Sequence, residues 1–203
     1  AAGVSQTGKV ATFGGGNQPP VTLFMDGFVD GVAKYNEVHG TAVVALGWDK
    51  ATQDGVFTGD FEDINKGLTT AQAFIDQGAD VILPVAGQVG EGAARAALDS
   101  GTASIIWVDS DGYDTLSPDF RPVLLTSVLK NTGSAVVEIV KTSIDDTFDN
   151  APFIGTLENG GVGIAPFHDL APRVSAELPA EIDQLRSDIV AGTIVVTSPS
   201  TPR

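Results

Sequence analysis

Short apolar runs, each closed by glycine or aspartate, alternate along this chain with stretches of helical spacing. The run "VATF" stops at Gly14-Gly15-Gly16, and "TAVVALGW", "DVILPVAG" and "SIIWVDSD" follow at intervals. Between the first two, Pro19-Pro20 open a stretch that places Val21, Phe24, Phe28, Val32 and Tyr35 on one helical face. "DINKGLTTAQAFIDQGA" predicts a second helix, with Asp63 as N-cap and Gly78 as its stop, and "GEGAARAALDSG" a third, closed by Gly101. "RPVLLTSVL" reads as a fifth strand, followed by a helix over 131–148. This rhythm predicts an α/β fold, an open parallel sheet with helices on both faces. The near-continuous apolar runs fit strands covered on both sides. After Asn150 the pattern changes. "FIGTLENGGVGIAPFHD" is glycine-rich and loop-like. "SAELPAEIDQLRSDIVAGTI" predicts a last helix with Ile182, Leu185, Ile189 and Val190 on one face, and "VVTSPSTPR" is a polar tail.

Composition removes several function classes. Eleven Lys+Arg against 26 Asp+Glu leave a net charge of −15, which repels nucleic-acid backbones and anionic lipid surfaces. Hydrophobic residues make up 42% and charged residues 18%, so the 203 residues have the means to build a core. No apolar run approaches the roughly 20 residues that span a bilayer. Without cysteine there is neither a disulfide nor a thiol nucleophile.

In an open parallel sheet, ligands bind beyond the carboxyl ends of the strands. Those ends carry Gly14 to Gly16, Trp48-Asp49, Ala86 to Gly90, Asp109 to Asp111 and Ser127 to Lys130. The turn "PVAGQVGEGAA" has glycines at 87, 90 and 92, near to a dinucleotide fingerprint without being one, and Asp109 ends the next strand, where such folds place a ribose-binding acid. The glycine order and the position on the third strand weigh against NAD. A strand-end carboxylate also accepts two hydrogen bonds from the diol of a free nucleoside. An enzyme of nucleoside-hydrolase type, using Asp109 and Asp111, is the other alternative; "DSDGYD" resembles a calcium loop only at its start. His39, before Gly40, reads as a helix cap, and His168, with no second His or Cys beside it, makes a poor metal site. No catalytic residue, metal or cofactor is expected.

Five stretches taken together resemble one family. "GKVATFGGGNQPPVTLFMDGFVDGV", "FEDINKGLTTAQAFIDQGADVILPVAGQVGEGAARAA", "IIWVDSDGY", "VLLTSVLKN" and "LENGGVGIAPFHD" occur in the order seen in the basic membrane proteins, the purine-nucleoside-binding lipoproteins of ABC transporters. The resemblance implies a type I periplasmic-binding-protein fold, with two α/β lobes closing on a nucleoside, export, a lipid anchor on an N-terminal cysteine and a permease partner. It implies that the chain is mainly the second lobe and that the first is absent. Residues 1–130 would form that lobe, 131–150 a crossover helix that packs on the missing one, and 151–203 the hinge return, last helix and tail. Val136, Val137, Ile139, Val140 and Ile144 would then be exposed, and the fragment is expected to self-associate through them. By the same resemblance Phe24 stacks on the base, Asp109 holds the ribose hydroxyls with Asp111 two residues on, and Lys130 donates to the ribose or balances Asp109. Ala86, Gly87 and Gly90 would let the ligand approach backbone N–H groups. Tyr113 departs from the family's usual residue.

Overall fold

A computed structural model describes residues 1–202; Arg203, the last residue of the expected tail, lies outside them. Five parallel strands and one antiparallel edge strand form the main sheet. In chain order they are β1 (Lys9–Gly14), β2 (Val44–Leu46), β5 (Val81–Val85), β6 (Ser104–Asp109), β7 (Leu124–Lys130) and β8 (Val162–Ile164), arranged β2-β1-β5-β6-β7-β8. A two-stranded ribbon, β3 (Trp48–Asp49) with β4 (Asp54–Gly55), stands beside it. The helices are α1 (Pro19–His39), α2 (Ile64–Asp76), α3 (Val89–Ser100), a single turn α4 (Gly112–Thr115), α5 (Thr132–Ile144) and α6 (Leu178–Val190).

Alternation along the strands sorts the core into two layers. Ala11, Phe13, Ile82, Ile105 and Trp107 meet α2 and α3 on one face. Val10, Val81, Leu83, Ile106, Val108 and Leu125 meet α1 on the other. The α2–α3 crossing is close because Gly67 and Gly92 lie at it. A methyl group on Gly92 would stand 1.9 Å from the Ile64 carbonyl oxygen, and one on Gly67 1.8 Å from that of Val89. The expected helix ends are present: the Asp63 carboxylate accepts from Asn65 N–H, and Gly101 takes the left-handed conformation that closes α3.

Four boundaries differ from the sequence expectation. "TAVVALGW" is two pieces, because Gly47, at φ +87°, turns the chain so that Trp48 leaves the sheet. The indole is buried and donates to Asp26, so Trp48 packs within the protein. The fifth strand starts only at Leu124, since Pro118–Val123 form a 3-10 turn. α5 stops at Ile144, short of 148. The segment read as loop contains β8, which pairs Val128 with Ile164 and Lys130 with Val162. His39 does not cap α1. Gly40 does, at φ +63°, while His39 stacks on Tyr35 and pairs with Glu181 of α6 at 3.0 Å.

Carboxylates tie residues near both ends of the chain to the sheet and to α1. Asp80 accepts from Ser5 Oγ and from the N–H groups of Gln6 and Thr7. Asp26, almost wholly buried, accepts from Trp48, Gln53 and Ser198, which binds the tail across α1.

Candidate functional site

Three of the residues singled out by sequence converge at the carboxyl edge of the sheet. Lys130 closes β7 and Asp109 closes β6, its neighbour in the sheet, and the two strands hold their side chains together: Lys130 Nζ lies 2.7 Å from Asp109 Oδ1. The same ammonium stands 4.6 Å from the centre of the Phe24 ring on α1. A cation over a ring face is attracted by its quadrupole. Asp109 is 56% exposed and Lys130 36%, so an acceptor and a donor are open to a solute beside the half-buried Phe24 ring, one face of which the ammonium covers. That combination suits a molecule with an aromatic ring and hydroxyl groups.

The other four residues are placed differently. Ala86 is buried within the α2–α3 core. Gly90 is buried too, and a methyl group there would meet the Trp107 ring at 2.6 Å, so this glycine makes room for an indole. Gly87 takes φ +57°, the left-handed form that lets the chain turn into α3. Above it lies Phe61, whose ring also presses on Gly15, where an added methyl group would stand 2.5 Å from it. The glycine turn is therefore filled by the protein's own aromatic side chains. Asp111 faces inward. Its Oδ1 accepts from Tyr113 N–H at 3.1 Å and from Ser127 Oγ at 3.3 Å, and its Oδ2 meets His168 Nε2 at 2.8 Å.

That last contact draws in residues that pattern reading left aside. Tyr113 stacks on the His168 imidazole at 4.1 Å and carries the Arg121 guanidinium on its other face at 4.2 Å. Its hydroxyl donates to Asp169 at 3.0 Å, and this carboxylate, with a smaller contribution from burial, pushes the phenol above its ordinary value. The signal that could have found them was the "APFHD" word, whose partner lies 57 positions away in sequence. The Lys66 ammonium beside Asp60, helped by the N–H groups of Asp63 and Glu62, holds that half-buried carboxyl down at about 2. No cluster of His and acidic residues fit to hold a metal ion occurs among the described residues. No helix among them is long and apolar enough to cross a membrane.

An apolar cavity of about 740 Å³ lies elsewhere, between the second half of α1, α6 and the sheet at Ile106 and Leu125. The stacked Tyr35 and His39, with the Glu181 that pairs with His39, line it, but none of the residues singled out by sequence for the ligand does, so the site is assigned to the edge.

A family model described as "ABC transporter substrate-binding protein PnrA-like" matches residues 1–200. The chain belongs to the Bmp family. Basic membrane protein A of Borreliella burgdorferi is 32% identical, with 98% of this chain aligned to 54% of that protein. The ABC transporter nucleoside-binding protein BmpA of Lactococcus lactis is 27% identical, over 98% of this chain and 55% of its own length. The chain thus spans about half the length of the curated relatives it matches. An ABC transporter solute-binding protein from Aeropyrum pernix superposes with a TM-score of 0.79 at 22% identity, covering 95% of this chain and 58% of that one. A protein from Bacillus halodurans, described as a transcriptional activator of the comK gene, does so with a TM-score of 0.75 at 21% identity, over 97% and 61%. At that identity the likeness is one of fold. The Bmp family is one of binding proteins, and its fold is the α/β sheet expected from the alternation of elements.

Proposed function

We propose that residues 1–202 supply one wall of the solute site of an ABC-transporter binding protein, and that the solute is a nucleoside, a purine nucleoside by preference. The observation that carries this reading is the convergence of Phe24, Lys130 and Asp109. Phe24 offers its face to the base, worth roughly 0.5–1.5 kcal/mol beyond burial. The Asp109 carboxylate accepts from two ribose hydroxyls, and Lys130 donates to the sugar. The Lactococcus relative, named as nucleoside-binding, supports the choice. The whole protein would close a second lobe over this wall, excluding water, and deliver the solute to a permease with no chemical turnover. This reading places it outside the cytoplasmic membrane on a lipid anchor carried by chain beyond these residues. It also accounts for α5. The helix has no buried residue, and its apolar face would pack on that lobe and, without it, on a second copy of the chain.

One open wall binds weakly, with a Kd in the millimolar range, about 4 kcal/mol. Amide chemical shifts of the 203-residue chain, followed during titration with guanosine, inosine, adenosine and NAD, test this. Shifts confined to Phe24, Asp109, Lys130 and their neighbours, abolished by Asp109→Asn, are expected with nucleosides. Shifts clustered on Gly87 with NAD, or none at that edge with any nucleoside, would overturn the assignment. Light scattering on the same samples reads the association, which Val140→Glu should abolish.

A further inference from the structure

The strand end that carries Asp109 is strained. Asp109 has φ +72°, and the N–H of Ser110 closes a three-residue turn on the Val108 carbonyl at 2.9 Å. A turn of this kind with positive φ at a residue bearing a side chain is rare, and persists only where its surroundings over-determine it. Relaxed to negative φ, residue 109 would carry its carboxylate away from Lys130 and Phe24. The strain therefore has a geometric result: it aims one side chain.

What holds it is visible two residues on. Asp111 is pinned from three directions, by the Tyr113 N–H, by Ser127 Oγ and by His168 Nε2. Ser127, on the neighbouring strand β7, also accepts from Gly112 N–H at 3.0 Å. Tyr113 is clamped between His168 and Arg121, with Asp169 on its hydroxyl and Arg121 Nε donating to its carbonyl at 3.2 Å. His168 itself takes φ +42°. Two non-glycine residues in the left-handed region are thus joined through one carboxylate, and neither is left free to relax alone.

We infer that Tyr113, His168 and Asp111 form a positioning clamp, which holds Asp109 in its left-handed turn and thereby fixes the acceptor of the candidate site. The clamp also ties that acceptor to the return segment. His168 and Asp169 follow β8, so any movement of that segment is transmitted to Asp109 through the Tyr113 stack. The role of Asp109 as a solute contact rests on the function proposed above. The clamp itself does not, and its test needs no solute.

The test reads the backbone of Asp109 by nuclear magnetic resonance, from its Cα shift and its amide–Hα coupling, in the whole 203-residue chain. Tyr113→Leu, which keeps bulk but loses the stack and the hydroxyl, and His168→Ala are each expected to move Asp109 out of the left-handed values. The Phe24 and Lys130 amides should shift with it. Tyr113→Phe keeps the stack and should retain them. Phe74→Ala, in the core on α2, should lower stability and leave Asp109 unmoved. Asp109 remaining left-handed in both Tyr113→Leu and His168→Ala, or leaving that region equally in Phe74→Ala, would overturn the clamp. If nucleosides bind at all, Tyr113→Leu should weaken them by about tenfold. Absence of binding sinks the function and leaves the backbone result standing.

Discussion

The strands of residues 9–130 and the helices α5 and α6 of residues 131–202 contain similar kinds of apolar side chain and treat them in opposite ways. In the first region Phe13, Ile82 and Ile105 have no accessible surface, and Leu125 has 1%. In the second, Val136, Val137, Val140, Ile144 and Phe148 are between 51% and 74% exposed, and neither α5 nor α6 contains a buried residue. By composition α5 is a core helix. It lies on the surface because nothing among the described residues covers it. Burial belongs to an element together with its partners, and this chain holds the partners of α1, α2 and α3 while α5 has none here.

The widest expected contrast is in the response to truncation. Phe13→Ala should lower unfolding free energy by about 4 kcal/mol, combining lost transfer energy with a cavity. Gly92→Ala should lower it by about 3 kcal/mol, since its methyl group meets the Ile64 carbonyl and forces α2 and α3 apart. In the monomeric chain, at dilutions where light scattering shows no association, Ile144→Ala should change it by less than about 0.5 kcal/mol, as a surface substitution does. Urea denaturation of the three variants at those dilutions decides this. A loss above about 2 kcal/mol in Ile144→Ala would break the comparison, because it would mean that α5 is covered within the single chain.

The comparison also explains what the sequence made legible. Strand–helix alternation and the glycine stops at Gly78 and Gly101 are local signals, and they sufficed for the elements of the sheet and its covering helices. The pairing of Asp109 with Lys130 was foreseen as one of two options, and Phe24 joins them at the sheet edge. The inward turn of Asp111 was not legible, since it depends on Ser127 and on His168, 16 and 57 positions away. β8 was missed for a related reason. Three residues, "VGI", with a glycine at the centre carry no alternation to read, and the strand exists only because the edge of β7 pairs with it. Ala86 and Gly90 show the converse error. Small residues at a strand end suit ligand approach and helix packing equally well, and only the position of Trp107 separates the two.

The terminal amine packs against the same core ahead of β1. In a polypeptide whose first residue is Ala1, burial lowers the terminal amine from its ordinary 8.0 to about 6, against an opposing pull from the Asp80 charge. The folded state then holds that proton less tightly than the unfolded one. Below pH 6 both states are charged and the fold bears the whole penalty. Between pH 6 and 8 the unfolded state binds more protons, so stability rises with pH, and above 8 the penalty is gone. A two-unit shift corresponds to about 2–3 kcal/mol. Denaturation midpoints from pH 5 to 9 should show this rise, and N-terminal acetylation should flatten it. A rise that survives acetylation would have another origin.

The smallest effect is the sharpest in sign. Gly133 lies in the first turn of α5, and an added methyl group there meets nothing within 4 Å. Glycine in a helix is less favourable than alanine by about 0.5–1 kcal/mol, chiefly through the freedom it leaves the unfolded chain. Gly133→Ala should therefore stabilise the chain by up to that amount, where Gly92→Ala, the same exchange in α3, does the reverse. The denaturant slope should stay unchanged, since the gain adds no buried surface. A loss at Gly133 would require backbone or side chains pressed against the start of α5, and so would show that a second copy of the chain has already closed over it.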